Sequence, residues 1–355
     1  MNGILSQYMM RSIVTTTALV LIVLLALAGL FNFIGELDDV KNAYQSPQVV
    51  LFTLLQLPLV AFSMMPLASL IGSLLALGGI AAHSEIIVMR ASGLSVKRLA
   101  GMVSITGAVL LVFTGLVGEF IGPPLDYYAR NMRQEARSGK DEPRSGNETW
   151  VKDGPVIMHL ERVSTEFEFG RIYLFRMKDD NTLDSITKAE NSGIENDDRW
   201  VLENVRETKF KNDGVQVVAA PRAIESFDIG AKTLGISLVK PESLSGRGLW
   251  SYISYLKRNA LDANRYETEL WYRIASTATI VIMPVLALAF VFGSLRSGGA
   301  GARLMFGIVI GLAYYLSSEL LANSGQVFNL NPAVIAWLPS VTLGLVTLIA
   351  LNRIR

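Results

Sequence analysis

Cysteine is absent from this chain of 355 residues, and histidine occurs only twice. Without thiols the protein can form neither a disulfide framework nor a thiolate metal site. His83 and His159 alone offer little for metal or base chemistry. The sequence also lacks a GxxxxGKS/T phosphate loop, an HExxH zinc motif and a GxSxG nucleophile motif. We therefore expect a protein that is not an enzyme, holds no metal and binds no cofactor of its own.

Charged residues are also scarce, at 18% of the chain, whereas hydrophobic residues make up 51%. This balance is typical of an integral membrane protein rather than of a soluble multidomain enzyme. The formal net charge of +1 argues against bulk binding to nucleic acid. We expect much of the chain to lie in a lipid bilayer.

Long stretches without Asp, Glu, Lys or Arg predict six membrane crossings. No such residue occurs over 42–84 or over 99–118, and the first of these regions is too long for one perpendicular helix. Pro58 and Pro66 interrupt it, which predicts an interfacial or kinked entry before the second crossing. The predicted crossings are 12–34, 66–82, 99–119, 274–292, 304–321 and 332–351.

From 123 to 240 the pattern changes to alternating polar and apolar residues, separated by turn sequences such as KDGP and KNDG. These segments are typical of a small antiparallel sandwich or jelly roll. The predicted fold class is a membrane α-helical protein with six transmembrane helices and an extracytoplasmic all-β, jelly-roll-like domain between the third and fourth helices. The predicted divisions are 1–135 for the first three crossings, 136–250 for the β domain with a linker at 138–148, and 251–355 for a return helix and the last three crossings.

Basic residues cluster on one side of the predicted crossings. Arg90, Lys97 and Arg98 lie in the loop after the second crossing, and the positive-inside rule makes this loop cytoplasmic. The same rule applies to the basic ends of the last three crossings, which are Arg296, Arg303, Arg353 and Arg355. Both termini are therefore predicted to be cytoplasmic, with the β domain on the opposite side.

The loop at 84–98 contains a predicted helix of about two turns. Ser84 suits the N-cap, Glu85 suits the positive end of a helix, and Gly93 is a natural stop. A helix this short is unstable alone in water. We therefore expect its apolar residues, including Ile86 and Met89, to lean on the bilayer surface or on a partner protein.

Two arginines follow the third crossing. Arg130 and Arg133 are three residues apart and share a helical face suited to anionic headgroups or phosphates, although spacing alone favours an ordinary solvated face. Glu119 and Glu319 lie in or beside apolar spans, where a functional role and a place at the headgroup boundary are equally compatible with the sequence. Two glycine pairs permit close helix packing, namely Gly118 with Gly122 and Gly307 with Gly311.

Four segments together resemble the LptF/LptG permease family of the lipopolysaccharide export ABC transporter. They are SEIIVMRASGLS at 84–95, GEFIGPPLDYYARNMR at 118–133, YETELWYRI at 266–274 and FGSLRSGGAGAR at 292–303. The resemblance covers essentially the whole chain. Within the family, the Ala-Ser-Gly triplet at 91–93 is more similar to LptG than to LptF.

This resemblance implies an assembly in the inner membrane of the Gram-negative envelope. LptF and LptG would form the membrane heterodimer, two copies of the ATPase LptB would sit below it, and LptC would add one further helix. ATP and magnesium would be used by LptB and not by this chain. Lipopolysaccharide would enter from the outer leaflet of the inner membrane and leave through the β domains toward LptC and the periplasmic LptA bridge.

The resemblance also implies roles for individual residues. The residues implied to couple to the ATPase are Glu85, Ile86, Met89, Arg90, Ala91, Ser92 and Gly93. The residues implied to bind lipopolysaccharide are Arg130, Arg133 and Lys41. Some family members carry basic residues at the outer end of the first span. Here that region reads NFIGELDD, with Asn32, Asp38 and Asp39, so only Lys41 is left nearby for contact with phosphate.

Two other functions remain open at this point. One is an ABC membrane subunit that transmits force to an external domain without moving a lipid. The other is a membrane-anchored scaffold whose β domain binds periplasmic proteins. Crosslinking of lipid to the spans would argue against the first, and copurification of an ATPase would argue against the second.

Overall fold

The computed structural model describes residues 2–38, 44–137, 148–162, 168–180, 182–195, 199–211, 213–227, 229, 240–292, 299–327 and 330–354. The chain divides into two compact units. The first comprises Met1–Arg137, Pro241–Leu249 and Asn264–Arg355, and the second comprises Ser138–Lys240 and Trp250–Ala263. The domain boundaries at 135 and 250 given by the sequence stay a prediction.

The first unit is helical. Its helices are α1 (Asn2–Leu37), α2 (Ser46–Ala82), α3 (Glu85–Ala91), α4 (Val96–Leu116), a π-helical turn (Val117–Ile121), α5 (Gly122–Arg137), the start of α6 (Gly246–Arg258), α7 (Asn264–Phe292), α8 (Ala300–Val327) and α9 (Pro332–Arg353). Within the described part of the chain, six helical segments are long and apolar enough to cross a membrane: α1, α2, α4 continued by α5, α7, α8 and α9. The six predicted crossings are therefore confirmed.

The second crossing differs from its prediction. α2 is one helix of 37 residues from Ser46 to Ala82, with both Pro58 and Pro66 inside it. The predicted interruption at these prolines is therefore wrong, whereas the start of the crossing near Pro66 stays a prediction. Proline removes one backbone donor, but packed neighbours in a membrane bundle let a helix continue through it. Pro66 is buried among such neighbours.

α2 and α7 form the centre of the helical unit. Just over half of the apolar window of each is buried inside the chain, 56% for α2 and 61% for α7, compared with 17% for α1 and for α8. The central core includes Leu74 and Leu77 of α2 with Ile280, Met283 and Leu286 of α7. The outer helices therefore keep large apolar faces for lipid or for other membrane chains.

Several polar side chains inside the bundle bond to one another. The Thr279 hydroxyl of α7 donates to Ser340 Oγ of α9 at 2.7 Å, and the Tyr314 hydroxyl of α8 donates to Thr279 Oγ1 at 3.1 Å. Unsatisfied polar groups are costly in hydrocarbon, and hydroxyl contacts between helices remove that cost. This network joins the three C-terminal crossings.

Glycines set the distance between the central helices. A Cβ at Gly72 of α2 would lie 2.5 Å from Thr17 Cα of α1, and one at Gly107 of α4 would lie 2.8 Å from Val281 Cα of α7. The glycines noted in the sequence also face α2: a Cβ on any of the following four would come within 3.4 Å of an α2 residue, namely Gly118, Gly122, Gly307 and Gly311. α2 is therefore packed closely on several sides.

The second unit is a curled antiparallel sheet. Its strands are β1 (Glu148–Asp153), β2 (Val156–Arg162), β3 (Glu168–Met177), β4 (Leu183–Ala189), β5 (Asn191–Glu195), β6 (Arg199–Lys211) and β7 (Gly214–Ser226). The hydrogen-bonded order is β1-β2-β3-β4-β6-β5, with β7 on β6 and with β5 also paired to β3. The predicted all-β domain between the third and fourth crossings is confirmed. Most of the predicted linker at 138–148 lies outside the described residues.

Alternation along the strands produces the core of the sheet. One face buries large side chains, including Met158, Leu174 and Trp200, as expected when side chains alternate across a strand. The Trp200 indole also donates to the Ile229 carbonyl oxygen at 3.1 Å, which ties β6 to the chain after β7.

The latter part of α6 and the residues after it belong to this unit. The Tyr255 hydroxyl donates to the Lys152 carbonyl oxygen at 2.7 Å, and the Gly154 amide donates to Asn259 Oδ1 at 2.7 Å. Burial raises the pKa of Tyr255 to about 12, so its hydroxyl keeps its proton at neutral pH. These bonds fix the β1–β2 turn to the segment that follows the sheet.

Replacing Gly72 with alanine should lower the apparent Tm of the detergent-purified protein. The new Cβ would overlap Thr17 backbone atoms, and overpacking of this kind costs about 1–3 kcal/mol. Gly79→Ala is the matched control on the same helix, because a Cβ there meets no atom within 4 Å. An equal loss of Tm in both variants would contradict the close contact between α1 and α2.

Candidate functional site

The predicted functional residues lie at opposite ends of α2. Gln56, in the first third of this helix, contacts the arginine-bearing helix α5, and α3 begins at Glu85, after the two residues that follow the end of α2 at Ala82. With a rise of 1.5 Å per residue, the helical path from Gln56 to Ala82 is about 40 Å. One rigid element therefore connects the two groups of residues.

α3 begins differently from the sequence prediction. Ser84 occupies the N-cap position, but its backbone is left-handed, with φ 61°, and its side chain makes no capping hydrogen bond. The Ser84 carbonyl oxygen instead accepts from the Ile87 and Val88 amides, each at 3.1 Å. Ser84 is therefore the N-cap as predicted, although its hydroxyl makes no capping hydrogen bond.

α3 ends as the sequence predicts. Gly93 has φ 92°, a conformation that glycine adopts without steric cost. The Leu94 amide donates to the Met89 carbonyl oxygen at 3.2 Å and the Gly93 amide to that of Arg90 at 3.0 Å, which is the Schellman pattern. The Ser92 hydroxyl adds a bond to the Met89 carbonyl oxygen at 2.8 Å. The end of this short helix is therefore closely fixed.

The support of α3 comes from its own bundle. Ile86 and Met89 are 4% and 8% exposed and belong to the same core as Leu77 of α2 and Leu288 of α7. The expectation that α3 must pack against the bilayer or a partner is therefore corrected. Two apolar residues on one face pack it against its own bundle. The opposite face stays open, with Val88 66% exposed.

A cavity of about 1070 Å³ lies beside α3. Its walls come from α3 and from the ends of α2, α7 and α9, and they are mostly apolar. Arg90 and Arg353 also line it, and the Arg90 guanidinium lies 5.7 Å from the ring centroid of Phe292. Arg90, Ala91, Ser92 and Gly93 are exposed, whereas Glu85 is half-buried. The residues predicted to couple to an ATPase therefore form one contiguous end of the bundle.

Arg130 is held by a buried carboxylate. Its Nε lies 2.7 Å from Asp126 Oδ2, one helical turn earlier on α5. Asp126 is 1% exposed, and its other oxygen accepts from Gln56 Nε2 of α2 at 3.2 Å. The Arg130 side chain is 36% exposed, whereas its carboxylate partner is almost fully buried.

Arg133 is held in a similar way by α1 and α2. Its Nε lies 2.9 Å from Glu36 Oε2, and its guanidinium lies 5.3 Å from the ring centroid of Phe52. The Tyr44 hydroxyl donates to the same Glu36 oxygen at 3.1 Å. Burial, followed by the nearby Glu36 charge, raises the pKa of Tyr44 to about 12, which keeps this donor protonated.

The sequence placed both arginines on one face but missed what holds them. The Asp126–Arg130 pair has the i, i+4 spacing that stabilises helices, and this spacing alone was a usable signal. The Glu36–Arg133 pair joins residues almost 100 positions apart, and no local pattern predicts it. Lys41 and Asp39 lie outside the described residues, whereas Asn32 is exposed on α1.

Glu119 has a structural role that the sequence left open. It lies in the π-helical turn, and its two carboxylate oxygens accept from the first amides of α6, Gly246 at 2.7 Å and Arg247 at 3.1 Å. A carboxylate at a helix N-terminus satisfies unpaired donors and complements the helix dipole. Glu119 caps a helix, so a place at the lipid headgroup boundary is not needed to explain its position.

Arg273 of α7 completes this junction. It is 7% exposed and donates to the carbonyl oxygens of Leu244 and Gly118, the latter at 2.9 Å. Its guanidinium also lies 4.8 Å from the ring centroid of Phe62 on α2. A buried arginine is costly unless it is paired in this manner, so Arg273 fixes three segments at one point.

The remaining candidates are simpler. Glu319 is exposed on α8, with Asn323 Nδ2 3.5 Å from its carboxylate. His83 is exposed, and its Nδ1 lies 2.9 Å from the Gly79 carbonyl oxygen of its own helix. Within the described ranges, no group of three His, Asp or Glu side chains could hold a metal ion.

Replacing Glu119 with alanine should open the first turn of α6. Two helix amides would lose a charged acceptor worth about 1 kcal/mol, so amide hydrogen exchange of a peptide over 246–249 should become about fivefold faster. Glu242→Ala removes an exposed carboxylate that pairs with Arg265 at 3.4 Å and serves as the control. Unchanged exchange in Glu119→Ala would show that this cap contributes nothing.

Comparison with known proteins agrees with this arrangement. The family model described as "Lipopolysaccharide export system permease LptF/LptG" matches residues 7–353. The chain is 31% identical to the LptG permease protein of Escherichia coli K12, over 99% of this chain and 98% of that protein, and 31% identical to LptG of Haemophilus influenzae, over 96% of each. Identity to LptF of Escherichia coli K12 is 23%, over 94% of this chain and 90% of that protein. The chain therefore belongs to the LptF/LptG family of lipopolysaccharide export permeases.

Proposed function

We propose that this chain is the permease subunit of an ABC transporter that extracts lipopolysaccharide from the outer leaflet of the inner membrane and passes it to a periplasmic bridge. The observation that carries the proposal is the family match over 7–353. The position of α3 and of the arginine pair at opposite ends of α2 supports it, because an export subunit needs an energy input at one end and a substrate site at the other. The chain itself catalyses no reaction.

The orientation follows from charge. We place the α3 end and both termini in the cytoplasm and the β unit in the periplasm. Exposed Arg90, Lys97 and Arg98 at the α3 end support this choice, because short basic loops stay on the cytoplasmic side. In this orientation the arginines of α5 lie near the outer leaflet.

Energy enters at α3. A separate LptB-type ATPase dimer uses ATP and magnesium and contacts the exposed side of this helix. Ile86 and Met89 anchor α3 in the core beside α2 and α7, so a displacement of α3 is passed directly to the two central helices. Of the predicted coupling residues, Glu85, Arg90, Ala91, Ser92 and Gly93 are assigned to this contact, and buried Ile86 and Met89 are assigned to the link between α3 and the core.

Substrate binds at the other end. Arg130 and Arg133 contact phosphate groups of lipopolysaccharide, because guanidinium groups form paired, charge-assisted hydrogen bonds with phosphate oxygens. Both arginine side chains are partly exposed, which leaves them accessible to a ligand. Lys41 remains a third predicted contact.

The partners follow the same scheme. LptF forms the heterodimer with this chain, LptC adds a helix, and LptA continues the periplasmic path. The low burial of α1 and α8, 17% of each apolar window, supports a large membrane interface with another chain or with substrate. Copurification of an ATPase in mild detergent separates this assembly from a scaffold that acts without one.

Replacing Glu85 with lysine should disrupt docking of the ATPase. A reversed charge at the start of α3 opposes both the helix dipole and the proposed contact, so copurified ATPase and lipopolysaccharide release from reconstituted vesicles should fall about tenfold or more. Asp213→Lys makes the same charge change at an exposed site between β6 and β7 and should leave both readouts unchanged. Full assembly and export in Glu85→Lys would remove Glu85 from the coupling site.

Replacing Arg130 and Arg133 together with glutamine should reduce photocrosslinking of lipopolysaccharide. Two charge-assisted contacts are lost, and each is worth about 1.5–3 kcal/mol, so a decrease of at least tenfold is expected. The control is Arg258→Gln with Arg265→Gln, which removes equal charge from exposed positions. Crosslinking equal to that of the unmodified protein would reject the arginine pair as the substrate site.

A further inference from the structure

One wall of the cavity beside α3 is a single stripe of α9. Its lining residues on this helix are Val346, Ile349, Ala350 and Arg353. They follow the spacing i, i+3, i+4 and i+7, which places them on one face of the helix. At 1.5 Å per residue, the stripe is about 10 Å long. α9 therefore contributes two turns of apolar wall that end in a cation.

The facing walls have the same order of apolar and charged groups. α3 contributes Ile86, Ile87 and Ala91, with Arg90 in its last turn, and α7 contributes residues 289–292. The Arg90 guanidinium lies 5.7 Å from the ring centroid of Phe292 at the end of α7. Both cations are thus at helix ends, and the apolar residues lie along the helices before them.

The open part of the cavity is apolar. Ile87 is 47% exposed, Val346 is 53% exposed and Ile349 is 56% exposed. α9 is one of the six helices long and apolar enough to cross a membrane, so its exposed residues meet hydrocarbon in a bilayer. Exposed apolar surface beside a cavity is typical of a binding site. An acyl chain of the surrounding lipid can therefore enter along α9.

The charge of the cavity favours an anion. Arg90 and Arg353 are the charged residues among the lining residues that the structure describes, and no Asp or Glu is among them. Arg353 is exposed, whereas Arg90 is already in contact with Phe292 and contributes its positive charge. Arginine stems lie along apolar surface while their heads reach the headgroup level. Basic pockets between membrane helices on the cytoplasmic side bind the headgroups of acidic lipids.

We propose that this cavity binds an anionic glycerophospholipid of the cytoplasmic leaflet, with an acyl chain along the stripe of α9 and the phosphate at Arg353. The volume of about 1070 Å³ is at the upper end of the range of about 300–1,000 Å³ for ligand pockets, which suits a long, flexible chain. A zwitterionic headgroup would leave the two positive charges unbalanced. The inference rests on the proposed orientation and on neither the ATPase contact nor the lipopolysaccharide site.

The position of this lipid connects it to α3. Arg90 and Ala91 line the cavity and also belong to the proposed ATPase contact. The lipid would therefore lie between α3 and α9, beside a docked ATPase.

The test uses the full-length protein in detergent with two photoactivatable lipids, phosphatidylglycerol and phosphatidylcholine, that carry the same diazirine on one acyl chain. Both probes contain a phosphate, but only phosphatidylglycerol has a net negative charge. We expect phosphatidylglycerol to label peptides over 86–91 and 346–353 at least about threefold more than phosphatidylcholine. Excess lipopolysaccharide should not compete with this labelling.

Variants of α9 separate headgroup from acyl chain. Arg353→Gln should lower phosphatidylglycerol labelling about fivefold, which is the effect of one arginine near a membrane surface on an acidic lipid. Arg353→Lys keeps the charge and should retain most of the labelling. Ala350→Trp fills part of the cavity and should lower labelling by both lipids. The control is Lys97→Gln, which removes an exposed charge from the same end of the bundle outside the cavity lining.

Four results would overturn the proposal. Equal labelling by both lipids would show a surface that meets ordinary bilayer lipid, and unchanged labelling of Arg353→Gln at unchanged Tm would remove the headgroup contact. Competition by lipopolysaccharide would make the cavity part of a substrate path. Loss of labelling when an ATPase is bound would assign the cavity to that partner instead of to a lipid.

Discussion

The close packing of α2 on several sides is the constraint on which the helical unit depends. Gly72 lets α1 approach α2 backbone to backbone, and glycines on the π-helical turn, α5 and α8 face α2 from other directions. Without a hydrophobic driving force between helices in lipid, such small-residue contacts supply the association through close van der Waals packing. α2 therefore continues as one helix through two prolines. It connects the α3 end to Arg130 and Arg133. Both proposed sites depend on that continuity.

Several buried or half-buried charges of the helical unit are paired or cap a helix. Glu119 caps α6, Arg273 closes a junction of three segments, and the two α5 arginines are supported by carboxylates. This arrangement has a physical basis, because an unpaired charge near hydrocarbon costs several kcal/mol and pairing or hydrogen bonding offsets part of that cost. Arg130 and Arg133 are paired and still partly exposed, so they remain able to meet a partner or a substrate.

α3 shows how a short segment can be fixed to a helical bundle. Seven residues cannot form a stable helix alone, yet Ile86 and Met89 insert into the central core, and the Schellman turn at Gly93 fixes the end. The helix is attached firmly on one side and open on the other. A partner that moves α3 must also move the ends of α2 and α7, since their side chains share one core.

The sequence by itself determined the six crossings, the β insertion, the stop at Gly93 and the family, because these depend on local composition, periodicity and motif. It could place Arg130 and Arg133 on one face, and the i, i+4 spacing of Asp126 and Arg130 was a local signal of their pairing that was missed. Only the tertiary structure decided that α2 continues through Pro66, that α3 rests on its own bundle, that Glu119 caps a distant helix and that Glu36 holds Arg133. Each of these depends on contacts between residues far apart in the chain, and a local pattern carries no information about which distant side chain will satisfy a buried charge or a free amide.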